Sequence, residues 1–197
     1  RLERVIIMIY KFFWVIRAFF YKLFFKKIGF LSYIGKPVFL HGISRVALGR
    51  KVRIFPGSRI ETHGVGKITI NENVGIGQNF HIIAGGDLVI GKGTIISAEV
   101  FINDMDNAYE EIGKNVLEQE FILSKTSIGE NCFIGIGAKI MAGTTLGNQC
   151  IVGANSVVKG NYPDYCVIVG APAKIVKKYN LESRTWQKTN ESGKFID

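Results

Sequence analysis

A ladder of aliphatic residues spaced six apart constrains this chain more than any other feature. It runs Leu48, Ile54, Ile60; then Ile70, Ile76, Ile82; then Ile90, Ile96, Ile102; then Ile128, Ile134, Ile140; then Leu146, Val152, Val158. The step is six within each triplet and 10, 8, 26 and 6 between triplets. Glycine often follows the ladder residue, at Gly49, Gly77, Gly91, Gly129, Gly135, Gly147 and Gly153. Four residues past it stands a small or branched side chain: Val52, Ser58, Val74, Thr94, Val100, Cys132, Ala138, Thr144, Cys150 or Ser156. A period of six matches neither an amphipathic helix nor a simple alternating strand. It matches a parallel β-helix in which each hexapeptide forms one flat side.

Three such sides make a coil of eighteen residues. The ladder aliphatic and the small residue four past it both point inward. Glycine after the aliphatic is expected at the corners, where it tolerates backbone conformations that other residues avoid. Coils stack at the spacing of paired strands, about 4.8 Å. The spacing leaves the hand of the coil open, and the general rule for parallel crossovers favours a right-handed one. Cys132 and Cys150 stand eighteen apart at equivalent positions, so they are expected to stack in the core. No CxxC occurs, and no metal site is expected. Two core thiols out of three point to a reducing compartment.

Hydrophobic residues make up 47% of 197, enough for one core, and the net charge of +9 is unevenly placed. Residues 1–30 carry seven Lys or Arg against one Glu, and residues 170–197 carry six against three acidic residues, so the middle is neutral. That is not the distribution of a nucleic-acid binder; it is a basic arm and a basic tail on a neutral body. On a helical wheel Arg1, Arg4, Lys11, Lys22 and Lys26 fall within about 80° of one another, and most of the remaining surface is Ile, Phe, Trp14 and Tyr. Arg17 lies off that stripe. No charge-free run in the arm exceeds six residues, which argues against a spanning helix, and no small-residue cleavage site marks a secretory signal. Residues 1–30 are therefore expected to form an interfacial helix, with aromatics in the acyl boundary and cations on anionic headgroups. The competing expectation is a helix packed on the body of the protein.

The β-helix is expected over residues 31–170. Between Ile102 and Ile128 the repeat is interrupted by an inserted loop, residues 103–127, and an excursion this long is more often functional than neutral. Residues 171–197 are expected to form a short C-terminal helix and a tail.

The ladder, the loop, the run Ile151–Gly160 (IVGANSVVKG) and the run Val169–Asn180 (VGAPAKIVKKYN) together resemble the left-handed β-helix acyltransferases. The branch they resemble most is the O-acetyltransferases of bacterial lipopolysaccharide and capsule biosynthesis, with maltose and galactoside acetyltransferases as relatives. The resemblance covers about residues 34–188 and supplies the left hand. It implies a homotrimer of side-by-side prisms, with acetyl-CoA in the groove between two of them and a loop of one chain reaching over its neighbour. It also implies that a loop histidine takes the proton from an acceptor hydroxyl, which attacks the thioester directly. A sugar hydroxyl is a poor nucleophile until that proton is removed, and backbone amides can steady the developing oxyanion.

The sequence departs from the family at that position. Relatives carry Asp-His-Asn-His, or the second His alone; here the segment reads Asn103-Asp104-Met105-Asp106-Asn107. Met105 and Asn107 occupy the two histidine positions, and neither takes a proton usefully. Asn107 therefore reads either as a histidine replaced or as the mark of a base relocated. His81, in NFHIIAGG, is the candidate for relocation, and Asp104 could orient a base or hold acceptor hydroxyls. His41 and His63 lie in earlier coils and carry less weight.

For the cofactor, the resemblance implies Gly135, Ile136, Gly153 and Ala154 along the pantetheine, with Lys159 in contact. It places Lys174 and Lys177 at the nucleotide phosphates, where point charges suit the ligand. No glycine-rich phosphate loop of the nucleotide-hydrolysing or dinucleotide type occurs. The expected activity is O-acetylation of a sugar or lipid-linked glycan by acetyl-CoA, on the inner face of the bacterial cell membrane. Two other readings stay open: an N-acyltransferase acting on an amino-sugar nucleotide, and a catalytically silent scaffold.

Overall fold

The computed structural model describes residues 2–190 and 193–196, with the backbone alone for residues 2–9. The expected cationic side chains of Arg1 and Arg4 thus lie outside the described residues. The ladder folds as the period requires, into a parallel β-helix with three walls. The first wall has seven strands and ends with Ser127–Ile128, Thr145–Leu146 and Asn161–Tyr162. The second contains Gly75–Ile76, Ile95–Ile96, Phe133–Ile134, Ile151–Val152 and Cys166–Gly170. The third stacks Phe39–His41, Arg59–Thr62, His81–Ala84, Phe101–Asn103, Lys139–Ile140 and Val157–Val158.

Register explains the ladder. On the third wall Leu40, Ile60, Ile82, Ile102, Ile140 and Val158 pair directly up the stack. Every ladder residue from Leu48 to Val158 is at most 2% exposed. Full burial of such a side chain contributes roughly 1.5–3 kcal/mol, and the column repeats it in every coil. The small residues four past the ladder are equally buried, and Phe80 fills the same position after Ile76. Cys132, Cys150 and Cys166 are buried free thiols.

Three features differ from expectation. First, the prism begins at Lys27–Ile28, paired with Ala47 and Leu48. Ile28, Ile34 and Leu40 are ladder residues of an additional coil, six apart and followed in the first two cases by Gly29 and Gly35. Second, the glycines after the ladder residue are not there for left-handed backbone. Positive φ falls two residues later, at Lys51, Asn73, Asn79, Gly93, Asn131, Gly137, Gln149 and Asn155. A Cβ on Gly129 would instead lie 2.4 Å from the carbonyl oxygen of Gly147 in the next coil, so close stacking of corners excludes any side chain. Third, the expected C-terminal helix does not occur among the described residues. Ala173–Asn180 and Thr185–Lys188 form a hairpin added antiparallel to Cys166–Gly170. The last coil leaves an open strand edge on the second wall, and the hairpin pairs with it. The turn is fixed by Asn180, whose Oδ1 accepts from the amides of Glu182 and Ser183 at 2.9 and 3.3 Å.

The N-terminal helix, Leu2–Tyr21, packs on the outer face of the second wall. Trp14 sits against Tyr33 and Phe55, with ring centroids 5.8 and 5.4 Å away. Arg17, the cation off the basic stripe, donates from Nη1 to the carbonyl of Ile34 at 3.3 Å and so ties the helix to the prism. Among the described residues no helix is long and apolar enough to cross a membrane. The inserted loop leaves the third wall after Asn103. Met105–Asn107 then pairs antiparallel with Phe121–Leu123.

Candidate active site

The third wall positions the polar side chains that the core does not use. Residues flanking the ladder point outward, so Phe39, Arg59, His81, Phe101, Lys139 and Val157 form one column on its outer face. Two residues along, His41 pairs with Glu61, and Glu61 with Ile83.

Glu61 was not singled out in the sequence, yet it is the centre of this face. Its side chain is only 6% exposed. Oε1 accepts from Arg59 Nε and lies 3.1 Å from His81 Nε2; Oε2 lies 3.5 Å from His63 Nε2. His63 stacks on His41 at 5.1 Å, and the Arg59 guanidinium lies 5.2 Å over the Phe39 ring. Burial pushes the Glu61 carboxyl up, but hydrogen bonds from Arg59 and His81 outweigh it and hold Glu61 below the usual carboxylate range. No sequence signal marked it, because a Glu beside an inner Ile reads as solvated surface.

His81 is half-enclosed, with the Phe101 ring edge-on at 5.1 Å. Phe101 begins the strand that runs into the loop, so the imidazole stands one strand from the loop root. Asp104 fixes that root. It is buried, and its Oδ1 and Oδ2 accept from the amides of Gly85 and Gly86 at 2.7 and 3.0 Å. Burial raises the Asp104 carboxyl despite those bonds. Those two bonds, to the backbone after His81–Ala84, anchor the loop root. Asn107 is exposed at the end of Met105–Asn107, opposite Phe121.

Gly135, Ile136, Gly153 and Ala154, expected along the pantetheine, fall along the corner between the second and third walls. A Cβ on Gly135 would meet Ala154 N at 2.7 Å, and one on Gly153 would meet Val169 Cγ1 at 2.8 Å. Close packing thus accounts for both glycines, and leaves Ile136 and Ala154 exposed at the corner. Lys159 lies 3.7 Å from Asp106 Oδ2, joining the loop to this end of the prism. Lys174 pairs opposite Val169, and Lys177 opposite Val167. They are three apart and would face opposite sides of a regular strand. The irregularity in that pairing places both beside outward-facing valines, on one face of the sheet. Lys188, opposite Lys177, adds a third cation that the sequence reading did not include. Among the described residues no cluster could hold a metal ion. Two grooves among the described residues, about 450 Å³ beside Arg50 and about 830 Å³ beside Tyr165 and Tyr179, include neither His81 nor Lys174. An open convex wall encloses no volume by itself.

Residues 125–160 match the family described as bacterial transferase hexapeptide (six repeats). The chain is 32% identical over 159 residues to an Escherichia coli (strain K12) protein named "Putative lipopolysaccharide biosynthesis O-acetyl transferase WbbJ", covering 77% of this chain and 81% of that one. It is also 32% identical over 154 residues to "Probable acetyltransferase Rv3034c" of Mycobacterium tuberculosis (strain ATCC 25618 / H37Rv), covering 77% of this chain but 51% of that protein. Among solved structures it shares the fold of AntD, an N-acyltransferase from Bacillus cereus in complex with dTDP and 3-hydroxybutyryl-CoA. The TM-score is 0.71 at 19% identity, over 85% of this chain and 90% of that one. A galactoside acetyltransferase in complex with coenzyme A aligns with TM-score 0.57 at 20% identity, over 89% and 75%.

Proposed function

This chain belongs to the hexapeptide-repeat acetyltransferases, and from that membership we propose that it transfers the acetyl group of acetyl-CoA to a hydroxyl of a surface-polysaccharide sugar. The observation that carries the reading is the similarity along 77% of the chain to the Escherichia coli relative named above. Three exposed lysines on one face, beside a corner of small residues, supply what a nucleotide phosphate and a pantetheine arm need. Transfer of isotope-labelled acetyl from acetyl-CoA to a glycan is the direct test.

In the chain as it stands the base is His81, because Asn107 cannot take a proton. A positioned imidazole removes the proton from the acceptor hydroxyl. The oxygen attacks the thioester carbonyl, the carbon–sulfur bond breaks, and the proton passes to the departing thiolate. The N-acyl alternative rests on the AntD-like fold alone; an amine acceptor modified in preference to a hydroxyl would select it.

The active unit is a homotrimer in this reading. The loop exposes Tyr109, Ile112 and Leu117, which a neighbouring prism would cover. Light scattering should give three times 21.9 kDa; a monomer at micromolar concentration contradicts it.

The helix seats the enzyme on the inner face of a membrane. Trp14 and Arg17 face the prism, which leaves Phe12, Phe13, Phe19, Phe20, Leu23 and Phe24 exposed beside Lys11, Lys22 and Lys26. Apolar side chains with cations at their margin suit an anionic lipid surface. Replacing Phe19 and Phe20 with serine should move the protein from the pellet to the supernatant with anionic vesicles. Equal recovery of both forms with the vesicles would remove this helix from the account.

A further inference from the structure

The Glu61 cluster holds more than a buried carboxylate needs for its own satisfaction. A buried acid paired with Arg59 alone would be balanced, yet Oε1 is shared with His81 Nε2 at 3.1 Å. An ionised carboxylate only accepts, so that contact requires the proton of a neutral His81 on Nε2 and leaves the lone pair on Nδ1. Among the described residues Nδ1 makes no hydrogen bond. The ring is held by Glu61 at one edge and by Phe101 beside it.

We infer that Glu61 is the positioning residue of a carboxylate–imidazole pair, setting the His81 ring so that Nδ1 receives the proton of the acceptor hydroxyl. This rests on the transferase reading above. Glu61 stays ionised throughout. As Nδ1 takes the proton, the carboxylate faces a cation instead of a neutral ring and steadies it. The proton leaves Nδ1 for the sulfur of the departing thiolate, which restores the starting state. Arg59 and His63 share the carboxylate, His41 stacks on His63, and Phe101 contributes no charge. Arg59 keeps Glu61 deprotonated, so that the carboxylate does not take the proton itself. The chain thereby acquires on its wall the base that its loop lacks.

The test uses the full chain labelled with nitrogen-15 in its three histidines, assigned by single His→Gln changes. Its probe reaction is acetyl-CoA with a mixture of free hexoses and N-acetylhexosamines. Nitrogen shifts should show His81 protonated on Nε2. In Glu61→Gln the amide can donate to Nε2 and move the proton to Nδ1. There kcat should fall about 10²-fold or more with KM for acetyl-CoA unchanged. Glu61→Asp should recover part of the loss. An Nδ1–H tautomer in the unaltered chain, or an unchanged kcat in Glu61→Gln, overturns the role of Glu61 and leaves acetyl transfer standing. The expected tautomer with no acetyl release from any form overturns the transferase reading, and the catalytic role with it.

Discussion

Replacing His81 with alanine should lower acetyl transfer by about 10²–10⁴-fold, the factor a positioned base supplies, without weakening acetyl-CoA binding. The split follows from the geometry. His81 stands on the outer face of the third wall beside Phe101, whereas Lys174 and Lys177 stand on the hairpin added to the second wall. Asn107→His provides the comparison. With His81 as the base it should add little, because position 107 is exposed at the end of a two-stranded excursion. A rise of about 10²–10⁴-fold on restoring that histidine, with His81→Ala silent, would return the role to the loop and make Asn107 a substituted base. Thiol release measured for the three forms separates these results.

Changing Lys174 and Lys177 together to alanine should weaken CoA binding about 10- to 100-fold at low salt, with a smaller effect at high salt. Their shared face depends on the irregularity between Val167 and Ile168, and Lys188 lies directly opposite Lys177. Like charges placed opposite one another in a sheet repel, so a bound phosphate would relieve the pair. Calorimetry with CoA, and with a CoA lacking the ribose phosphate, reads the effect. Equal affinity for the double variant at all salt concentrations would move the phosphates to another part of the surface.

The prism was legible because its period is a property of the backbone. Fifteen ladder positions share one burial pattern, and each follows from a six-residue wall. What escaped was set by longer-range contacts. The coil of Ile28, Ile34 and Leu40 is the exception, since it keeps the six-residue step with Gly29 and Gly35 after its first two members. The terminal hairpin was missed because VKKYN has no strong local preference; the open edge of Cys166–Gly170 decides its state. The glycines were seen, but for the wrong cause: a Cβ on Gly91 would lie 2.3 Å from the carbonyl oxygen of Gly129, a clash across 38 residues of sequence that no local rule contains.

The candidate site divides the same way. His81 could be picked out as a histidine before an inner isoleucine, and Asp104 as part of a familiar segment. Their contacts could not. Asp104 turns inward to the amides of Gly85 and Gly86, and Glu61 comes to His81 only because strands 20 residues apart in sequence lie side by side. Arg17, an irregularity in the basic stripe, proves to be the hydrogen-bonded link between helix and prism.

The central claim is acetyl transfer from acetyl-CoA to a sugar hydroxyl, and one incubation tests it most directly. The full chain, with anionic vesicles carrying lipid-linked glycan, is supplied with acetyl-CoA labelled in the acetyl group. Mass spectrometry of the recovered glycan then locates the label. The account predicts base-labile label on a sugar oxygen, formed in step with free thiol and lost in His81→Ala. Label on nitrogen would establish the N-acyltransferase instead, and CoA binding with no labelled glycan and no thiol release would leave this chain a binding scaffold.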